Sequence, residues 1–96
     1  MDLLKTALSF DDVLLIPRYS EIESRKDIKI EQKLRSVGDF SLPIIASPMD
    51  TITGEAMACA IDSAGGIGII HRYNDVQKQS RMVMNLTSKG LSIGAA

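Results

Sequence analysis

PIIASPMDTITGEAMACAIDSAGGIGII, residues Pro43 to Ile70, is the stretch that decides the fold. Pro43-Ile44-Ile45-Ala46 is a continuous apolar run, the pattern of a strand covered on both faces in a parallel sheet. Thr51 to Gly54 is a polar connection in which Thr53 is the expected helix N-cap. Glu55 follows in the first turn, where a negative charge suits the helix dipole. Ala56, Met57, Ala60, Ile61 and Ala64 fall on one helical face. Gly65-Gly66 ends the helix, because glycine takes left-handed geometry without a steric cost. Ile67-Gly68-Ile69-Ile70 then reads as a second buried strand. Downstream the alternation repeats. Asn74 or Asp75 caps a second helix, Asn74 and Gln77 in the manner of a capping box. Val76, Val83 and Leu86 mark its apolar face, with Ser80 as a gap. Gly90 closes it, and Leu91-Ser92-Ile93-Gly94-Ala95-Ala96 opens a third strand.

Strand, helix, strand, helix, strand with short connections predicts an α/β fold with a parallel sheet and right-handed crossovers. The doubly wound sheet and the (β/α)8 barrel both use that order. Both need more units than these, and a barrel typically takes about 250 residues. Residues 1–96 therefore read as the N-terminal fragment of one longer catalytic domain. Upstream, Leu8-Ser9-Phe10-Asp11-Asp12-Val13-Leu14-Leu15-Ile16-Pro17 is an apolar extended segment stopped by proline. Ile28, Ile30 and Leu34 share one face at period two, which predicts a half-buried strand. Val37-Gly38-Asp39 is the expected turn after it.

Composition removes several classes of function. A hydrophobic fraction of 45% with 24% charged residues is that of a globular chain rather than a disordered one. Eleven basic and twelve acidic residues leave a net charge of -1, so no basic excess follows a phosphate backbone and no nucleic acid is expected as partner. Aromatic residues make up only 4%, with no Trp, which argues against a stacking platform for bases. Apolar runs as short as Val13–Ile16 cannot span a membrane, and Asp11 and Asp12 spoil a signal-peptide reading. A single cysteine forms no internal disulfide, which points to a reduced, cytoplasmic setting.

In both candidate architectures ligands sit at the carboxyl ends of the parallel strands. That rule selects Ser47-Pro48-Met49-Asp50, after the first strand, and His71-Arg72-Tyr73, after the second. Ser47 offers a hydroxyl, Asp50 a carboxylate, and Arg72 a fork suited to phosphate. His71 is a group that can titrate near neutrality. The plainer alternatives are that Ser47 and Asp50 only cap a loop and that His71 is a satisfied structural residue. Cys59 lies mid-helix among Met57, Ala58, Ala60 and Ile61, without the electropositive setting a nucleophile needs, and reads as a small core residue. Gly65-Gly66-Ile67-Gly68 follows a helix and opens a strand, the reverse of a dinucleotide fingerprint. One His and one Cys give no metal-ligand spacing.

Ser9 to Pro17 resembles the opening of the IMP dehydrogenase and GMP reductase family. Leu42-Pro43-Ile44-Ile45-Ala46-Ser47-Pro48-Met49-Asp50-Thr51 resembles its first barrel strand and following loop, and Gly65 to Arg72 its second strand. The resemblance implies the N-terminal portion of a (β/α)8 TIM barrel: about two βα units plus a third strand, preceded by an extended segment. It implies a purine nucleotide, IMP or GMP, at the strand ends, with Ser47 and Met49 touching it and Asp50 organising the pocket. His71 and Arg72 would lie toward the cofactor, NAD or alternatively NADPH. The nucleophilic loop cysteine, the phosphate-binding glycines and the site for a monovalent cation such as K+ would all fall beyond Ala96. No catalytic residue and no metal site are thus expected within the fragment, which alone should be inactive.

The full-length enzyme is expected to be a homotetramer in guanine nucleotide synthesis. Ser47 to Asp50 and Gly65 to Arg72 resemble the dehydrogenase branch, which oxidises IMP to XMP, and this branch is favoured because the pocket motif lies closer to the chemistry than the surface stretch that follows. Ser24-Arg25-Lys26-Asp27-Ile28 is closer to the reductase branch, which converts GMP to IMP. Asn85 to Gly90 runs straight into Ser92-Ile93-Gly94-Ala95-Ala96, so the CBS regulatory insert of many dehydrogenases is expected to be absent. From another class, a noncatalytic truncated relic or assembly partner is the competing reading. The reading frame downstream of Ala96 separates it from the enzyme.

Overall fold

The computed structural model describes residues 5–96. Strand β1 (Gln32–Leu34) and strand β2 (Gly38–Phe40) form an antiparallel hairpin. Strands β3 (Ile45–Ala46), β4 (Ile67–Ile70) and β5 (Ile93–Ala95) form a parallel sheet in that order. Helix α1 (Glu55–Ser63) connects β3 to β4, and helix α2 (Val76–Ser88) connects β4 to β5. Ile45 pairs with Ile67, and Gly68 pairs with both Ala46 and Ile93, which makes β4 the central strand. Ala58 of α1, Ile70 of β4 and Met82 and Leu86 of α2 form one buried cluster, so both helices cover the same sheet face. Cys59, Val83, Leu91 and Ile93 pack against its margin.

The contact between α1 and β4 is closer than ordinary side chains permit. A Cβ placed on Gly68 would stand 3.0 Å from the Ala58 Cα and 3.1 Å from Ile61 Cγ2. One placed on Gly66 would stand 2.5 Å from the Ile44 carbonyl oxygen. This contact also decides which face of α1 turns inward. Ala58 is fully buried, with Cys59, Ile61 and Asp62 partly covered, while Ala56, Met57, Ala60 and Ala64 are exposed. The face expected from the sequence is therefore mostly the outer one. Periodicity could not choose, because α1 is apolar around most of its circumference.

Other expectations are corrected in detail. Gly54, not Thr53, occupies the N-cap of α1. Asp75 caps α2, its carboxylate accepting from the Lys78 amide at 2.7 Å. Asn74 donates to Gln79 Oε1 rather than pairing with Gln77. Met82 and Leu86 form the buried stripe of α2, while Val76, beside the cap, is exposed. Strand β3 is shorter than Pro43–Ala46, and Ile44 and Ile45 are half exposed where β3 has β4 as its neighbour among the described residues. Ile28 and Ile30 lie outside β1 and are half exposed. The turn of the hairpin is Arg35–Val37, with Ser36 at φ 66°, and Gly38 already belongs to β2. Phe40 is the buried hydrophobic residue of the hairpin.

The N-terminal arm stays off this body. The radius of gyration is 18.2 Å, against about 12–13 Å for a compact chain of this length. Phe10 and Leu15 are 98% and 97% exposed. The arm nonetheless carries a defined 3-10 turn at Phe10–Asp12. Asp12 Oδ2 accepts from the Ser9 amide at 3.0 Å and from the Ser9 hydroxyl at 3.1 Å. These two bonds, the amide first, hold the Asp12 carboxyl below its ordinary range despite full exposure.

Two outcomes are expected. Gly68→Val forces branched bulk between β4 and Ala58, and overpacking of this kind costs about 1–3 kcal/mol. Thermal unfolding should show a melting temperature several degrees lower, and an unchanged one would mean that α1 does not rest on Gly68. For the arm, the Asp12 pKa is depressed by folding, so the turn is stabilised above the ordinary aspartate range. That stabilisation is lost as pH falls through the depressed value. Ser9→Ala removes the hydroxyl donor and keeps the amide, so the Asp12 midpoint, followed by NMR, should move part of the way back up.

Candidate functional site

Strands β3 and β4 are parallel neighbours, so their carboxyl ends open on the same side of the sheet. Ser47 leaves the end of β3, and His71 leaves the end of β4. The two clusters chosen from the sequence are thus adjacent. The loop after β3 folds back on itself. The Ser47 carbonyl accepts from the Met49 amide at 2.8 Å and from the Thr53 hydroxyl at 2.5 Å. The Met49 carbonyl accepts from the amides of Ile52 and Thr53, both at 3.0 Å. The Thr53 carbonyl in turn accepts from the His71 amide at 3.2 Å, which joins the first loop to the end of β4.

Thr53 is fully buried, while Ser47, Met49 and Asp50 are exposed. The loop therefore meets its backbone hydrogen bonds inward and presents a hydroxyl, a thioether and a carboxylate outward. His71 is partly buried, and its Nδ1 accepts from the Tyr73 amide at 3.2 Å. That bond places the proton of the neutral ring on Nε2, leaving an N–H free to donate. The His71 and Tyr73 rings stand 6.1 Å apart and tilted. Arg72 is exposed beside them and supplies a guanidinium fork. Together the two loops offer donors, one carboxylate and one fixed cation to a polar ligand with an anionic part.

Thr53 is the residue that sequence reasoning misplaced. A hydroxyl residue just before a helix reads as an N-cap by default, and nothing in the sequence signals a bond back to position 47. Cys59 sits on the helix side of the sheet, packed against the core and away from the strand ends. Among the described residues no group of three His, Cys, Asp or Glu side chains could hold a metal ion. A recess of about 530 Å³ lies at the opposite end of the strands, between the hairpin and Gly65-Gly66. It touches none of the candidate residues, and strand-end geometry is the better guide to the site.

A family model described as IMP dehydrogenase / GMP reductase domain matches residues 7–91, a span that includes both loops. The chain belongs to this family. IMP dehydrogenase from Nitrosopumilus maritimus (strain SCM1) is 43% identical over 86 residues, covering 90% of this chain and 18% of that protein. GMP reductase from Leishmania donovani is 40% identical over 80 residues, covering 83% of this chain and 16% of that protein. The crystal structure of GMP reductase from Trypanosoma brucei in complex with guanosine 5'-triphosphate superposes with a TM-score of 0.78 at 40% identity. It covers 90% of this chain and 20% of that one. The chain thus spans a fifth or less of the length of these family members. Over that span it shares the mixed α/β fold of the N-terminal part of GMP reductase.

Proposed function

We propose that residues 1–96 form the first part of a (β/α)8 barrel in an NAD-dependent oxidoreductase that converts IMP to XMP. The observation that carries the proposal is the side-by-side placement of Ser47–Asp50 and His71–Arg72 at neighbouring strand ends in a chain of this family. Ser47 and Met49 contact the purine nucleotide, and the exposed Asp50 carboxylate organises the pocket from the ligand side. His71, through Nε2–H, and Arg72 face the nicotinamide cofactor. Their donors and exposed cation fit an anionic cofactor, which when bound supplies hydride transfer. The part of this chain is to bind and orient. The nucleophile, the monovalent-cation site and the phosphate-binding glycines belong to other segments of the enzyme.

The same proposal includes a homotetrameric, cytoplasmic enzyme acting in purine nucleotide synthesis. Among the described residues no helix is long and apolar enough to cross a membrane. Only residues 89–92 separate α2 from β5, and β5 pairs directly with β4. That continuity supports a catalytic domain with no CBS pair at this point. A second reading, NADPH-dependent reduction of GMP to IMP, is favoured by Ser24–Ile28 and by the reductase structure above. Assaying the full-length protein with IMP and NAD, and separately with GMP and NADPH, distinguishes the two. Turnover of neither pair overturns both readings in favour of a noncatalytic protein.

Two substitutions in the full-length enzyme test the site. Ser47→Ala removes one hydrogen bond to the nucleotide, worth about 0.5–1.5 kcal/mol, or more against a charged partner. The KM for nucleotide should rise more than the KM for the cofactor, and an unchanged nucleotide KM takes Ser47 out of the site. Cys59→Ala removes a small half-buried group and inserts a better helix former. Turnover should stay within a few-fold of wild type. A loss of several orders of magnitude with intact circular dichroism would make Cys59 the nucleophile and displace the proposed site.

A further inference from the structure

We infer that Thr53 is the positioning residue of the nucleotide loop, because it ties the end of β3 to the end of β4 and so sets how two loops meet one ligand. The inference rests on the reading of Ser47 and Met49 as nucleotide contacts. Thr53 itself is fully buried, so its side chain presents no surface to a ligand. It is the buried polar side chain among the described residues. A hydroxyl withdrawn from water needs a partner. Its partner is the Ser47 carbonyl, in a bond that closes the loop from the inside.

Thr53 fixes three things at once. Its hydroxyl and the Met49 amide occupy both acceptor positions of the Ser47 carbonyl, which sets the peptide plane leaving Ser47. Its amide donates to the Met49 carbonyl, which sets the second ligand-facing residue. Its carbonyl accepts from the His71 amide. That last bond stands where β3 has already ended, since the β3–β4 pairing stops at Ala46 opposite Gly68. The chain leaves the sheet at Ser47, turns through Met49–Ile52, and returns Thr53 alongside the end of β4. The ligand-facing side chains of Ser47 and Met49 spend none of their own bonding capacity on this closure.

Losing the hydroxyl frees one acceptor position of the Ser47 carbonyl and loosens the loop relative to His71. A smaller fraction of molecules then holds the loop ready for nucleotide, and apparent affinity falls by that fraction. The effect belongs in KM, because the buried Thr53 side chain acts only through the loop it holds.

The test uses Thr53→Val, Thr53→Ser and Ser47→Ala in the full-length enzyme, with steady-state kinetics and calorimetric binding of IMP and of GMP. Thr53→Val keeps the volume and removes the donor, so nucleotide KM and Kd should rise about three- to tenfold, with kcat within about twofold. Thr53→Ser keeps the donor and should restore both to within about twofold of wild type. If Thr53→Val does not fold, Thr53→Ala beside Thr53→Ser makes the same comparison. An unchanged nucleotide KM in Thr53→Val beside a raised one in Ser47→Ala overturns the role of Thr53 and leaves the site standing. A Thr53→Ser enzyme as impaired as Thr53→Val also overturns it, since the methyl group rather than the hydroxyl would then matter. No effect from Ser47→Ala overturns the site reading itself and this inference with it.

Discussion

The close approach of α1 to β4 at Ala58 and Gly68 is the constraint on which the rest of the described body depends. Two small residues let a helix backbone settle directly on the central strand. That depth turns Ala58 inward and leaves room for Ile70, Met82 and Leu86 to close one cluster with it. Helix α2 can then cover the remainder of β4 and reach β5. Burying these side chains drives the assembly, each large one contributing about 1.5–3 kcal/mol relative to exposure. Glycine at 68 costs strand propensity, and the gain appears only in the packed structure.

The same closeness places the site. Because α1 begins at Glu55, the connection from the end of β3 has only Ser47 to Gly54 in which to turn and enter the helix. A loop that folds back on itself must satisfy the backbone groups it turns away from water. Thr53 supplies the solution with a hydroxyl, an amide and a carbonyl in one residue. The hydrogen bonds turn inward, and the outward side chains remain available to a ligand. The chemistry offered at the strand ends is thus a consequence of how the helix entry is built.

The N-terminal arm shows the opposite balance. Its apolar side chains, Phe10, Leu14 and Leu15 above all, are almost wholly exposed. Its order is local, held by the Ser9–Asp12 bonds and by the Ser24 cap of the turn at Arg25–Asp27. The family match runs from residue 7 to residue 91, and so takes in the arm as well as β3, β4 and both helices.

Much of this was legible in the amino-acid order. The alternation of apolar runs with helical stretches gave β3, β4 and β5, their parallel pairing and both helices. Gly65 and Gly90 marked helix ends, and each takes the positive φ that favours glycine. The strand-end rule selects Ser47–Asp50 and His71–Arg72 as neighbouring candidates, because connectivity alone dictates where parallel strands point. Four things needed the tertiary structure. The inward face of α1 was undecidable from a helix apolar on nearly every side, and it was settled by the fit of Ala58 over Gly68. The exposure of Ile44 and Ile45 follows from β3 having one strand neighbour among the described residues. The hairpin turn at Arg35–Val37 depended on which residues of β2 were free to pair. The role of Thr53 rests on hydrogen bonds to positions 47, 49 and 71, and only folding brings those groups together. Local sequence determined which elements form and where their ends lie, since propensity and turn chemistry act over a few residues. Tertiary structure decided which side chains face each other, since packing and hydrogen bonding act across the distances that folding closes.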